Sequence, residues 1–165
     1  MKKIILIIVL IITSILLVRN YTYVPIKLIN HSNNYQNIPI DYNSIDINDI
    51  IKFSLNKTTT DLKFDFNSGN NIDFKNIDKI KKSHCVGYVT YFNTILKSVL
   101  EHNNISNYKL YHYRSEIHLL NFNINSLFSN TKYKNHDISV LICCGKKYFI
   151  DPSLSELTIN FIIVD

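Results

Sequence analysis

Apolar residues recur at spacings of three and four in three stretches of this chain, which is the period of an α-helix. The stretch SIDINDIIKFSL starts at Ser44, a residue type that caps helix N-termini, and NIDFKNIDKIKK has the same period. The longest stretch runs from about His84 to Glu101, with Ser83 at the N-cap position and apolar positions at Cys85, Val89, Phe92, Leu96 and Val99. The pattern therefore predicts two short helices and then one principal helix.

Alternating apolar residues follow the principal helix and predict strands. YKLYHYRSEI alternates, and LTINFIIV near the C-terminus has the composition of a last strand. Between them, HDISVLICCGKKYFIDP has two strand-like runs around Cys144 and Gly145, which is typical of a β-hairpin. A turn centred there pairs positions whose numbers sum to 289. In that register His136 faces Ser153 and lies diagonal to Asp151, with Cβ atoms about 7 to 8 Å apart.

The order of helices and then strands predicts an α+β domain over residues 44–165, with an antiparallel sheet packed on the principal helix. TDLKFDF alternates weakly and fits either a short strand or an irregular connection. Residues 21–43 are rich in Asn and Tyr and contain Pro25 and Pro39, so we expect them to be a tether.

The first 20 residues, MKKIILIIVLIITSILLVRN, are apolar from Ile4 to Val18 except for a Thr and a Ser. They predict a transmembrane anchor or an export signal, and the lack of a small-residue cleavage site favours the uncleaved anchor. Lys2, Lys3 and the free amine outweigh Arg19, so the positive-inside rule places the N-terminus in the cytoplasm and the domain outside it. Cleavage would release the same domain as a secreted protein.

The charge of the chain argues against nucleic acid as a partner. The net charge is +5, but without Lys2, Lys3 and Arg19 the remaining chain has 15 basic residues against 13 acidic residues. So small and scattered an excess does not predict a nucleic-acid-binding surface. With 46% hydrophobic and 19% charged residues, the chain has the composition of a folded domain.

The three cysteines are Cys85, Cys143 and Cys144, and an odd number in an exported domain leaves at least one thiol unpaired. Neighbouring cysteines close a disulfide only with strain, so we expect Cys143 and Cys144 to be core or turn residues, with a disulfide to Cys85 as a minor alternative. The cysteines form no zinc pattern, and the acidic residues are too dispersed for a calcium site. We therefore expect no metal and no cofactor.

Cys85 stands in the first turn of the principal helix, where the helix dipole and the unpaired N–H groups favour a thiolate. Acyl transfer by a thiolate also needs a base that carries the proton and a group that orients the base. If the hairpin packs across the helix N-terminus, His136 and Asp151 supply these groups. The backbone N–H of Cys85 is then a natural oxyanion donor.

This constellation resembles the transglutaminase-like superfamily of cysteine enzymes. The family pattern has a cysteine at a helix start followed by x-Gly-aromatic-small, as in CVGYV from Cys85, and later a histidine, a hairpin and Asp-Pro, as from His136 to Asp151-Pro152. The resemblance covers about residues 72–155 and implies a papain-like core of the membrane-anchored bacterial type. It implies that Cys85 attacks an amide of a protein or peptide substrate, with His136 as acid and base and Asp151 orienting it.

The chain departs from the family pattern near both ends of the proposed triad. Asp137 and Ile138 follow the histidine where a small residue and an aromatic residue are common, and Ser83 stands where glycine is common. The chain also contains no tryptophan. These departures leave open a catalytically inactive binding module as one alternative.

A second alternative is a cell-wall amidase-type cysteine peptidase, whose helix also starts with Cys-x-Gly-aromatic. That class has a Gly-Asp turn before its histidine and a polar residue earlier in the second strand, and neither is visible here. For the remaining histidines we expect ordinary positions: His84 exposed in the first helical turn, and His112 and His118 on a strand or loop surface.

Overall fold

The computed structural model describes residues 21–31, 35–65, 67–68, 81–119, 121–127, 135–155 and 162–164. The predicted anchor at 1–20 and residues 71–80 of the predicted second helix lie outside these ranges. Within them, no helix is both long enough and apolar enough to cross a membrane.

The described part is α+β, with two helices and a sheet, as predicted. The helices are α1 (Ile47–Asp61) and α2 (Cys85–His102). The strands are β1 (Tyr21–His31), β2 (Lys63–Phe64), β3 (Lys82–Ser83), β4 (Tyr108–Leu119), β5 (Phe122–Asn123), β6 (His136–Cys143), β7 (Lys146–Ile150) and β8 (Ile162–Val164). The 3₁₀ turn Ile124–Leu127 follows β5.

The main sheet has the strand order β1-β4-β6-β7-β8, and β5 pairs with β4 off this path. The β4–β5, β6–β7 and β7–β8 pairs are antiparallel, whereas β2 and β3 form a separate parallel pair. The finding corrects the prediction of a tether over the whole of 21–43, because residues 21–31 form a strand. Val24, Ile26 and Leu28 take alternate positions there, but Pro25 and Ile29 interrupt the apolar–polar alternation of a half-buried strand.

The hairpin forms in the predicted register. Ser139 pairs with Ile150 and Val140 with Phe149, so the paired numbers sum to 289. Cys144 and Gly145 form the turn with φ of 55° and 75°, the left-handed values that a type I′ hairpin turn requires at both central positions.

By their internal contacts, the described residues divide into two compact units. The smaller unit takes 21–26, 115–119, 121–127 and 135–136. In it β5 folds back on the end of β4, and Asn125 Oδ1 accepts a hydrogen bond of 2.6 Å from the backbone N–H of Ile117.

The larger unit takes the other described residues, including both helices, and contains the main core. α1 buries Ile47, Ile50, Ile51 and Leu55, the apolar positions that its sequence period predicts. Asp46 rather than Ser44 caps this helix, since Asp46 Oδ1 accepts from the N–H of Asn48 at 2.7 Å. The core also contains α2 residues that are fully buried, among them Phe92, Ile95, Leu96, Val99 and Leu100.

Candidate active site

Cys85 is the first residue of α2, and one residue, His84, separates it from the short strand β3. The N-cap is His84 and not Ser83 as predicted, because His84 Nδ1 accepts a hydrogen bond of 3.2 Å from the N–H of Val86. Ser83 instead lies in β3 with its Oγ buried, and among the described residues this oxygen has no hydrogen-bond partner. His84 is half-buried, and its Nδ1 lies 4.0 Å from Cys85 Sγ.

The Cys85 thiol donates a hydrogen bond to a carboxylate on β6. Its Sγ lies 3.5 Å from Asp137 Oδ2, and the other carboxylate oxygen, Oδ1, lies 2.9 Å from Nε2 of His112 on β4. An ionised carboxylate only accepts, so Nε2 carries the hydrogen in this contact. The order of groups is therefore thiol, carboxylate and imidazole, with the carboxylate in the middle.

Asp137 and His112 form a buried pair. Asp137 is 3% exposed and His112 is 1% exposed, whereas Cys85 is half-buried. Buried charged groups need a partner that compensates for lost hydration. Burial by itself raises the pKa of Asp137, but the hydrogen bond and charge of His112, with the charge of Arg114 and the bond from Cys85, outweigh it and leave this pKa below its ordinary value. The carboxyl group is accordingly ionised at neutral pH.

The pKa of the Cys85 thiol is raised, whereas the position of Cys85 at a helix N-terminus predicts a lowered pKa. Burial, and next the negative charge of Asp137, raise the pKa of Cys85 to about 12. The backbone N–H groups of Asp137 and Val86 oppose this rise but do not cancel it. The prediction of a thiolate from the helix N-terminus therefore does not agree with this arrangement, because burial first and the charge of Asp137 next raise the pKa of Cys85 more than the backbone N–H groups lower it.

His136 and Asp151 occupy the two ends of the hairpin strands. His136 is the first residue of β6 and belongs to the smaller unit, where its ring stacks with that of Tyr23 at 6.4 Å between centroids. Asp151 follows β7 and is 1% exposed. It belongs to the larger unit, which also contains Cys85. Its Oδ1 accepts hydrogen bonds from Ser153 and from the backbone N–H of Leu154 at 3.1 Å, which closes the turn after the hairpin. The triad of Cys85, His136 and Asp151 stays a prediction.

Polar contacts continue along α2 beside the thiol. Asn93, one fully buried residue of α2, accepts a hydrogen bond from Ser139 Oγ on β6 and donates to the Tyr35 hydroxyl at 3.0 Å. Asp137 and Ser139 are alternate residues of β6, and side chains alternate between the two faces of a strand. The α2-facing side of β6 thus begins with two polar residues and continues with Leu141 and Cys143 in the core.

A surface groove of about 660 Å³ lies elsewhere on the larger unit, between residues 37–41 and the last turns of α2. Glu101 and His102 contribute to its wall. The rise of about 1.5 Å per helical residue puts these residues about 25 Å from Cys85 along α2. The groove is therefore not a substrate pocket for this thiol.

No set of three or more His, Cys, Asp or Glu side chains within the described ranges is arranged to hold a metal ion. The Cys85, Asp137 and His112 cluster is thus best described as a thiol with an acid–base pair.

Sequence reasoning missed His112 and Asp137. The strand pattern of YKLYHYRSEI places His112 on the same face as Leu110, which is fully buried, and this alternation was the available signal that His112 is buried. Asp137 gave a weaker signal, since an acidic residue inside an otherwise apolar strand requires a partner. The partner is not visible until the strands are placed side by side.

Comparisons of this chain with protein-family models, with curated proteins and with solved structures find no match.

Proposed function

We propose that this chain is a transglutaminase-like cysteine enzyme, a peptidase or acyl transferase that acts on amide bonds through a thioester on Cys85. One observation supports this most: a half-buried thiol at a helix start contacts a buried carboxylate–imidazole pair. Free cysteines in cores are usually surrounded by apolar groups, and a buried Asp–His pair is costly unless it has a role or full compensation.

The proposed reaction begins as Sγ attacks the amide carbon, and the S–H proton moves to Asp137 Oδ2. His112 Nε2–H remains bonded to Oδ1 and stabilises the pair. The C–N bond then breaks, the leaving amine takes the proton, and water or a second amine resolves the thioester. Because the thiol pKa is about 12 and that of Asp137 is lowered, the proton transfer is uphill in the resting site and has to occur together with C–S bond formation.

The resemblance assigns the base to His136 with Asp151, whereas the contacts within the larger unit support His112 with Asp137. The proposal therefore has two candidate imidazoles for one thiol. They make different predictions for single substitutions, and His102 on the last turn of α2 offers a matched control because it lies at the far end of the helix.

The test is acylation of the full-length protein by p-nitrophenyl acetate, followed by mass spectrometry of the cysteine peptides. We expect an acetyl group on Cys85 in the wild type and none there in Cys85→Ser. If Asp137 accepts the proton and His112 stabilises it, Asp137→Asn reduces the acylation rate about 100-fold or more, the usual contribution of general acid–base catalysis, and His112→Ala also reduces it. His136→Ala and His102→Ala then acylate at the wild-type rate. The reverse result for His112 and His136 assigns the base to His136.

The Asp137→Asn variant separates the effect of the Asp137 charge on the Cys85 pKa from the role of Asp137 as proton acceptor. Removing the negative charge lowers the pKa of Cys85, so alkylation by iodoacetamide at pH 8 becomes faster, by about tenfold for each unit by which the pKa falls. Acylation by p-nitrophenyl acetate becomes slower, because Asn cannot take a proton. If both rates change in the same direction, Asp137 is not the proton acceptor.

A second candidate function is a catalytically inactive binding module, and the raised pKa of Cys85 favours it. In this case no acetyl-Cys85 forms in any variant, and Cys85→Ser has the wild-type melting temperature within about 2 °C. Acetyl-Cys85 that forms in the wild type, and forms much more slowly in either His112→Ala or His136→Ala, excludes this candidate.

The proposal includes attachment of the domain to the outer side of a membrane through residues 1–20, with a protein or peptide as substrate. Extraction of cell membranes at alkaline pH tests the anchor. We expect the full chain to stay with the membrane and a chain that begins at residue 21 to be soluble. Release of the full chain would favour the cleaved export signal.

A further inference from the structure

Cys143 and Cys144 bring two thiols together at the tip of the hairpin. Their Sγ atoms lie 3.4 Å apart, although one side chain is buried and the other is exposed. Neighbouring residues of a regular strand point to opposite faces, which would separate the two sulfurs. The left-handed backbone at Cys144, with φ of 55°, turns its side chain back towards Cys143.

This backbone conformation is unusual for cysteine. The first central position of a hairpin turn with positive φ is usually Asn, Asp or Gly, since other side chains are strained there. Cys144 keeps the conformation and thereby places its sulfur beside that of Cys143. A strained residue that joins two reactive groups is a reason to look for a function.

The separation of 3.4 Å between the two sulfurs distinguishes a disulfide from a ligand atom that both sulfurs bind. A disulfide requires about 2.05 Å between sulfurs and Cα atoms usually 4.4 to 6.8 Å apart, whereas neighbouring Cα atoms are about 3.8 Å apart. Two sulfurs that each bond to one soft atom at about 2.3 Å in tetrahedral geometry are about 3.8 Å apart, which is close to the observed 3.4 Å. The thiols are therefore placed to chelate one atom after a small shift of the sulfurs.

We propose that Cys143 and Cys144 form a dithiol site for a trivalent organoarsenical or a chemically equivalent thiophilic ligand. No third metal-ligating side chain within the described ranges joins the pair, so the ligand has to carry its own third substituent, as an aryl arsenical does. The substituent can project into solvent, because the Cys144 side chain is exposed.

The reaction balances without an oxidant. An aryl arsenical oxide, R–As=O, meets both S–H groups, two S–As bonds form, and the oxygen leaves with the two protons as water. Arsenic stays trivalent and both sulfurs stay at the thiol level. The site is independent of Cys85, so the proposed acyl transfer and this proposal can fail separately.

The probe is phenylarsine oxide, added to the reduced full-length protein, with bound arsenic measured by intact-mass spectrometry under non-denaturing conditions. Excess 2-mercaptoethanol in the buffer removes arsenic from single thiols but not from a dithiol chelate. We expect one phenylarsenic group per chain in the wild type and in Cys85→Ser. Addition of a 1,2-dithiol removes it.

Cys144→Asn is the decisive variant, because Asn suits the left-handed turn and the replaced side chain is exposed, so the fold is retained. We expect this variant to lose binding at least 100-fold, and Cys143→Ser to do the same. Retained binding in Cys144→Asn, or no adduct in the wild type with 2-mercaptoethanol present, overturns the proposal. A circular-dichroism melt of Cys144→Asn shows that loss of binding is not loss of the fold.

Discussion

The two halves of α2 pack into the same unit in different ways. The C-terminal half buries Ile95, Leu96, Val99 and Leu100 completely, and the hydroxyls of its buried Thr94 and Ser98 donate to carbonyls one turn earlier in the same helix. The N-terminal half also buries polar atoms, and each has a specific partner: Cys85 with Asp137, the Tyr88 hydroxyl with Leu62 O at 2.6 Å, the Tyr91 hydroxyl with Asp61, and Asn93 with Ser139 and Tyr35.

One half of α2 therefore mainly stabilises the fold, and the other half defines the geometry around Cys85. Apolar burial stabilises in proportion to area and tolerates many arrangements, at about 25 cal/mol per Å². Buried polar groups add little net stability but are costly when a partner is missing, so they define one geometry. In this chain the polar half is the half that holds the candidate nucleophile.

The largest effect on stability is expected at the apolar half. Leu96→Ala should lower the free energy of unfolding by about 2 to 5 kcal/mol, through lost burial and the cavity that remains. Urea denaturation measures it. Ile45 is 91% exposed, and Ile45→Ala is the control, with an expected change of less than about 0.5 kcal/mol. Equal costs at both positions would mean that Leu96 is not in a packed core.

At the polar half, Asn93→Ala should cost about 1 to 3 kcal/mol, because the hydroxyls of Tyr35 and Ser139 lose a buried partner. The double variant Asn93→Ala with Ser139→Ala should cost less than the sum of the two single variants, since the second change removes a hydroxyl that the first left unsatisfied. Additive costs would show that the two side chains do not interact.

The raised pKa of Cys85 predicts how stability depends on pH. The folded-state pKa of about 12 lies above the ordinary thiol value, so the folded state holds this proton more tightly than the unfolded state. Its contribution is complete below about pH 8.5 and is lost as the pH rises from there towards 12, by up to about 1.4 kcal/mol per pH unit.

Urea denaturation at pH 8, 9 and 10 measures this loss, and the difference between the wild type and Cys85→Ser isolates it from other groups that titrate in the range. We expect the wild type to lose stability faster than Cys85→Ser as the pH rises. Parallel curves would place the Cys85 pKa near its ordinary value and weaken the role given to Asp137.

The smallest effect concerns the two helix caps. His84→Ala and Asp46→Ala each remove a side-chain acceptor from a helix N-terminus and should each cost about 1 kcal/mol. Only His84→Ala should also change the rate of Cys85 alkylation, because His84 Nδ1 lies 4.0 Å from Sγ. If neither cap changes that rate, His84 acts on helix stability alone.

The local elements of the fold were predictable to different degrees. Both described helices and the hairpin register follow from periods of apolar residues and from the Cys144-Gly145 turn, which are local signals. The caps were each misplaced by one or two residues, from Ser44 to Asp46 and from Ser83 to His84. Ser44 and Asp46 are both common capping residues, whereas His84 is not one and follows Ser83, which is, so the choice depends on where the chain enters each helix.

Strand β1 was missed because its isolated alternation is weak and is interrupted by Pro25, a residue that suits the edge position that β1 takes in the sheet order. The α+β class nevertheless followed from the order of elements alone.

The sequence by itself determined the principal helix, the position of Cys85 at its first turn, and the pairing of the hairpin, because each depends on residues close together in the chain. Only the tertiary structure decided which groups meet the thiol. His112 and Asp137 are 27 and 52 residues from Cys85 in the chain, and sheet pairing and helix packing bring them to it. The pKa of the thiol depends on this packing, since burial first and the charge of Asp137 next raise it more than the neighbouring backbone N–H groups lower it.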